Sequence, residues 1–461
     1  MLETSEEYKE KIQNYDRNIK PKVEFYFDGE EEDPIVFASD DISDIDILEE
    51  IQTEGSTPLG TIASNELIIT LKNEDNRFLA ANIESPFYGK IRQSIKVIPY
   101  YGIKLADGGF EYIKMGEYYV TEWEADSGSP NSMVICNDKL FKVGEMDIPL
   151  IPTAENITAR QMFITLFKAL ELSPEEYDVD VVLSQIQILI AYFPDGKARE
   201  GLAKMAEAFN CNVTVTRNGV IKVSSNESIA DEPVVEYDDE KMIFTTNMPQ
   251  KFSNVFSKIN VATNQHIIKD TQSGLSAKYV PVSATGRKLD NLKFGASPSA
   301  YVEYIKIEKS THLEVKSINI GTWGVNLELE NLVGTEKQTD VEIFTHPMDI
   351  AKDEVEITNE GAYNLIGDKK YPINNYLIQK REDALSHAEK VAPLVTDPAG
   401  YVKITTRGDP SMELNDVVKA TDNANKLGSL NIVPIRHQLR YDSGLGCEIL
   451  AIKKTARKPD E

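Results

Sequence analysis

Short runs rich in Ile, Val, Tyr and Phe recur towards both ends of this chain, broken by turn formers, and this most limits what it can fold into. In the first third they fall at residues 23–27, 66–71, 95–101, 118–123 and 133–136, with Thr57-Pro58-Leu59-Gly60 and Asp107-Gly108-Gly109 among the breaks. After Pro249 they return at 255–261, 301–307, 313–320, 325–329 and 341–344, and near the end at 401–406, 414–420, 432–441 and 447–453. Strands this short are not stable alone, so they must share sheets, and antiparallel barrels or sandwiches accommodate many of them. Gly, Ser and Thr are frequent between 271 and 299, which reads as long loops.

The middle of the chain has a different period. Residues 157–170 and 198–209 space their apolar side chains as helices do, and 213–217 and 220–224 alternate around Asn218-Gly219, the signature of a type I′ hairpin. Near the start, Tyr8, Ile12, Tyr15 and Ile19 mark one narrow helical stripe, stopped by Pro21. A stripe so narrow cannot fold alone and must dock on its own body or on a neighbouring subunit. A further helix is expected at 381–392, with Ala384, Leu385, Ala388, Val391 and Ala392 on its apolar side, ended by Pro393 and Pro398. The fold class is mainly β with an α+β insertion. The expected division is an N-terminal helix (1–21), a first β-barrel domain (22–150), a small α/β module (151–228), a second β-barrel domain (229–265 and 371–461), and an inserted β-rich region (266–370) of unassigned role.

At 461 residues the chain exceeds one core, and 41% apolar residues suffice to fill several. Its 49 basic and 75 acidic residues give a net charge of −26, the wrong sign for gripping phosphate backbones, so stable binding to nucleic acid or an anionic membrane is not expected. An acidic surface is compatible with DNA sliding past it. Cys136, Cys211 and Cys447 are far apart and read as small buried apolar residues. No apolar run of about 18 residues marks a membrane anchor, and the N-terminal stretch lacks the apolar core of a signal peptide.

Chemistry finds little support. His266, His312, His346, His387 and His437 lack metal spacing, and no nucleophile elbow, phosphate loop or dinucleotide fingerprint is present. Glu30-Glu31-Glu32-Asp33 with Asp40, Asp41, Asp44 and Asp46 lacks the ligand alternation of a calcium loop and reads as a solvated loop and strand edge. Arg407-Gly408-Asp409-Pro410 has the form of an adhesion motif but reads as a chain reversal, in which Gly408→Val should be damaging and Asp409→Glu tolerated. No catalytic, cofactor-binding or metal residue is assigned.

Several segments, in order, resemble the tail hub proteins of phages of Gram-positive bacteria, a family similar to the baseplate hubs of contractile phages and the spike bases of type VI secretion. They are the N-terminal helix to Pro21, Thr57-Pro58-Leu59-Gly60, residues 67–73 with Arg77-Phe78, 116–123 running on to 137–140, and 198–207 with the Asn218-Gly219 hairpin. Near the end come 373–378, Arg407-Gly408-Asp409-Pro410 and 414–418, where Asn415 stands in place of an expected glycine, a residue that also tolerates left-handed backbone. Residues 266–370 match poorly. The resemblance implies two tail-tube-like barrels per chain and a homotrimeric, non-enzymatic ring at the virion's tail tip or baseplate. Its implied partners are the tail tube or distal tail protein, the tape measure protein and a central spike or fibre, with no cofactor. Two other readings are a cell-wall hydrolase of the tail tip and a carbohydrate receptor-binding tail protein that stacks sugars on Trp123 or Trp323.

Overall fold

The computed structural model describes residues 1–30, 32–52, 59–249, 254–295, 297–307, 312–397, 400–424 and 426–454; Glu31, Thr57, Pro58 and Pro398 therefore lie outside the described residues. The two ends of the chain meet in one 14-stranded sheet. A first unit runs in the order Ile42–Glu50, Glu66–Lys72, Asn131–Asp138, Tyr118–Ala125, Lys96–Lys104, Ile19–Tyr26, Ile35–Ala38, with Phe110–Lys114 paired to Lys96–Lys104. A second unit runs Ile243–Asn247, Tyr401–Thr406, Leu445–Lys453, Gly428–Tyr441, then Val418–Asp422 and Val235–Asp238. Alternating side chains from both, among them Phe25, Ile45, Ile69, Ile404, Leu439 and Ile449, fill a single apolar core.

The N-terminal helix is shorter than its apolar stripe suggested. Helix α1 spans Glu6–Gln13, opened by Ser5, whose hydroxyl accepts from the Tyr8 amide, and ended where Asn14 turns extended. Tyr8 and Ile12 are buried but Tyr15 is 75% exposed, and Ile19 begins a strand. Pro21 lies inside that strand rather than ending a helix. It pairs with Tyr101 on one side, while the other neighbour begins pairing only at Lys22, so the missing N–H falls where the strand has one partner. The helix docks on its own chain, with Leu2 donating to the Ser411 carbonyl at 2.8 Å.

Between the units, α2 (Lys139–Gly144), α3 (Ala159–Ala169) and α4 (Ala198–Phe209) pack through Phe163, Leu166, Phe167, Leu202 and Met205 onto short strands. Thr158 and Gln161 close a capping box at the start of α3. Cys211–Val215 and Ile221–Ser225 form the expected hairpin, but its turn is not type I′. The Gly219 amide bonds the Thr216 carbonyl, and Gly219 has a φ of 76° while Asn218 is absent from the residues with positive φ. That is a three-residue loop of Arg217, Asn218 and Gly219 closed by a left-handed glycine, and it sends Arg217 inward.

The remaining strands centre on Lys337–Thr358. Its first part pairs with Gln272–Val282 and Ser299–Ile307, its second with Lys258–Ile268, which also pairs in parallel with Lys370–Asn374. Segments expected in the second barrel, 258–265 and 371–374, thus belong to this separate sheet. Arg287–Lys293, Gly324–Asn331 and Leu313–Ile320 make a three-stranded sheet over it. The expected loops of 271–299 are largely strands whose two-residue alternation is broken by bulges at Ser273/Leu275 and Ala277/Val280. Helix α5 spans Glu360–Ile366 and α6 Arg381–Thr396. Pro393 does not end α6, because burial of Val395 and a Thr396 hydroxyl bond to the Ala392 carbonyl carry it another turn. Leu385, placed on its apolar side, is 42% exposed, and His387 is buried instead.

Candidate assembly site at the junction of the two units

The acidic run expected to be a solvated loop and strand edge ends in Ile42–Glu50, which is no edge: it pairs on both sides and joins the units. Residues 45–50 pair antiparallel with 436–441 of Gly428–Tyr441. A bulge between Ile42 and Asp44 disrupts its alternation, yet Ile45 and Ile47 face the core, and those two isoleucines were the readable signal. Along this seam the side chains are complementary. Gln438 donates to both Asp46 oxygens at 3.0 and 2.9 Å, Arg440 to Asp44 at 3.1 Å, and Arg436 lies 3.7 Å from Glu50. Asp41 meets Arg77 at 3.1 Å, so these carboxylates serve pairing across strands rather than a cation.

At the centre of the seam sits a buried ion cluster. From the hairpin tip, Arg217 donates to both Glu49 oxygens at 2.9 and 2.8 Å, to the Met412 carbonyl at 2.8 Å and to the Pro410 carbonyl. His437 Nδ1 lies 3.1 Å from the same carboxylate. Burial opposes ionisation of Glu49, but the charge of Arg217 and the bonds from His437 and Arg217 outweigh it and hold its pKa at about 2. Burial likewise opposes charge on His437, and Cys447 and Glu49 overcome it, raising its pKa to about 9. One side chain thus ties the α/β module to both β units, a bond that spans three parts of the chain far apart in sequence.

The Arg407-Gly408-Asp409-Pro410 turn lies beside this cluster and is structural. Asp409 is 3% exposed, accepting from Ser411 N at 2.9 Å, Ser411 Oγ at 2.6 Å and the Tyr237 hydroxyl at 3.0 Å. Gly408 has a φ of 81°, and an added Cβ would sit 3.1 Å from Leu439 and Leu445 side chains. Arg17 ties the segment after α1 to this turn through the Gly408 carbonyl at 2.7 Å and the Arg407 carbonyl. With Asp409 buried and three donors converging on it, the structure reverses the expected tolerance of a longer acid: the extra methylene should displace those donors. Asn415 adopts a φ of 68°, the left-handed backbone expected there.

Other sequence candidates are dispersed. His346 stacks on Tyr301 and approaches Glu303 at 3.3 Å, His266 lies 3.4 Å from the Tyr192 hydroxyl, and His387 is buried with its pKa lowered to about 4 by burial and Lys390. His312 lies on an exposed turn at the start of the strand Leu313–Ile320. The three cysteines are buried and unbridged. Trp123 donates to Ser132 at 2.9 Å and packs against Phe25, Phe27 and Phe78, and Trp323 donates to the Phe193 carbonyl at 2.7 Å beside Tyr192. A cleft of about 670 Å³ opens between the hairpin and the second unit. Two of its carboxylates are engaged, Asp180 with the amides of Val182 and Ser225 and Asp416 with the Met1 amino group and the Glu413 amide. Among the described residues no group of three or more His, Cys, Asp or Glu could hold a metal, and no helix is long and apolar enough to cross a membrane.

No family model matches the sequence, and no curated protein matches it. Solved structures do. The 43 kDa tail protein of prophage MuSo2 from Shewanella oneidensis superposes with a TM-score of 0.53 at 11% identity, over 94% of this chain and 98% of that one. A tail protein from Neisseria meningitidis MC58 gives 0.54 at 8% identity, over 94% and 96%. At these identities the likeness concerns the fold, and it spans nearly the whole of each chain. The chain therefore has the fold of these phage tail proteins.

Proposed function

We propose that this chain is the structural hub of a phage tail tip or baseplate, a homotrimeric ring that joins the tail tube to a distal spike or fibre and encloses the channel through which DNA passes. The observation that carries this reading is the continuous sheet through two like β units, which ends on both sides in strands with no further partner among the described residues. Unpaired edges favour pairing with another chain, and three copies of two units give six related units around an axis. The net charge of −26 fits a channel along which DNA moves without sticking. The ring's neighbours are then the tail tube or distal tail protein above, the tape measure protein within and the spike or fibre below. The role is non-enzymatic. Immunogold labelling of intact virions tests the placement: label at the tail tip supports it, whereas label on the capsid, on the tail shaft or only in unassembled protein refutes it. Release of sugars or peptides from purified cell walls above a heat-inactivated control would refute the non-enzymatic role.

A further inference from the structure

The inserted sheets have a core of their own, in which Val282, Val325, Leu327, Val341 and Ile343 meet away from the core that the two units share. Along Ser299–Ile307, the side chains of Val302, Ile305 and Ile307 turn towards that inner core. Tyr301 and Tyr304 do not join it and are 49% and 48% exposed. Each lies against a ring of the neighbouring strand Lys337–Thr358. Tyr301 stacks on His346 with ring centroids 4.3 Å apart, and Tyr304 stacks on Phe344 at 4.5 Å. Phe344 and His346 alternate with the buried Ile343 and Thr345, so both stacks stand on the outer face of the sheet.

Polar groups are fixed around these rings. His346 Nδ1 donates to the Lys269 carbonyl at 2.9 Å, which sets the ring and leaves Nε2 3.1 Å from the Thr271 hydroxyl and 3.3 Å from Glu303. Thr271 also donates to Glu303, whose carboxylate stays 45% exposed and retains lone pairs for further donors. Stacking across paired strands covers one face of each tyrosine. Ser299–Ile307 has no partner on its other side among the described residues, so the second face of each ring looks out over an open edge. Cross-strand aromatic pairs steady a sheet, but only through the covered faces.

Flat apolar rings beside a carboxylate and a hydroxyl match a ligand that is itself flat and apolar on its faces and carries hydroxyl groups around its rim, which describes a pyranose ring. Charge narrows the class. Lys306 on this face is tied to Glu342 at 3.1 Å, and the chain carries −26, so an acidic polymer is repelled. Trp123 and Trp323, the rings that the sequence offers for sugar stacking, are instead bonded within the chain.

We propose that Tyr301, Tyr304 and Glu303 form a binding face for a neutral pyranose glycan, the uncharged polysaccharide of a bacterial cell wall. The two tyrosines stack on sugar rings and Glu303 accepts from their hydroxyls. The face lies outside the two β units, so it adds a function that the ring does not need; the cell wall as its source rests on the tail placement above, which immunogold labelling tests separately.

Full-length protein is sedimented with purified cell walls of a Gram-positive bacterium stripped of anionic polymers, and is titrated calorimetrically with neutral oligomers of N-acetylglucosamine and of glucose. Retention on the stripped walls and saturable binding of at least one oligomer are expected. Tyr301→Ala/Tyr304→Ala should weaken binding at least about tenfold while the circular dichroism remains that of folded protein, and Glu303→Ala should weaken it less. Tyr301→Phe/Tyr304→Phe, which keeps the rings, should retain it, and Tyr88→Ala, which removes an exposed tyrosine of the first unit, should leave it unchanged. Binding to neither walls nor oligomers overturns the proposal, as does binding that the paired alanines leave intact or that Tyr88→Ala reduces equally. Retention only on walls that keep their anionic polymers overturns it in favour of charge. If the paired alanines instead block incorporation into tails with no loss of glycan binding, the face is a protein interface and the proposal falls.

Discussion

Removing the Arg217 side chain tests how the parts are held together. In Arg217→Met, Glu49 stays buried with only His437 opposite, and the Pro410 and Met412 carbonyls each lose a charged donor. Breaking a buried ion pair by removing one partner costs about 3–5 kcal/mol, and two orphaned carbonyls place the loss in the upper part of that range. Against a typical domain stability of roughly 5–15 kcal/mol this is large, so the unfolding midpoint in urea should fall clearly. Glu49→Gln alone should cost a comparable amount by leaving Arg217 charged and unpaired. The double variant should recover at least half of the summed losses, because it removes both charges together. Denaturation of the four proteins, followed by fluorescence and by circular dichroism, supplies the cycle. A single-variant loss below about 1 kcal/mol, or losses that simply add, would refute the view that this cluster couples the hairpin to both units.

Gly408→Val should lower stability by about 2–4 kcal/mol, combining a strained φ of 81° with a Cβ crowded by Leu439 and Leu445, and thermal melting checks it. Asp409→Glu should also destabilise, by about 1–3 kcal/mol, since three donors converge on the shorter acid; melting equal to that of the parent would contradict this. His437 is raised from 6.5 to about 9, so its contribution is complete below about pH 6.5 and is lost as pH rises through about 9. Unfolding free energies measured from pH 6 to 10 should fall over that window in the parent and less in His437→Gln. Asn375→Ala should cost about 1–3 kcal/mol, because its buried amide bonds the Lys204 carbonyl and Glu207 at 2.8 Å each and links α4 to the loop before α6; denaturant midpoints decide it.

Where side-chain period reflects local packing, the sequence was readable. Helix α4 falls at 198–209 as its spacing predicts, and Tyr401–Thr406 alternates as a half-buried strand should. Period fails where bulges interrupt it, as in Ile42–Glu50 and Gln272–Val282. It also fails where helix and strand periods coincide over a few residues. Tyr8 and Ile12 set a helical stripe whose spacing Tyr15 and Ile19 continue, although the chain turns extended at Asn14. The seam was hidden for another reason. Its strands lie nearly 400 residues apart, and nothing local to Arg217, in what reads as a solvent turn, betrays a partner at Glu49. That pairing required the three-residue loop, one residue longer than a type I′ turn and with positive φ at Gly219 rather than at two central residues.

The most direct test of the hub account is the copy number and symmetry of this protein in purified tails, measured by symmetry-free averaging of electron images of the tip. The account predicts three copies in one closed ring, with six similar lobes around an axial channel. A ring of two or six copies, or a tip that lacks the protein, would contradict it.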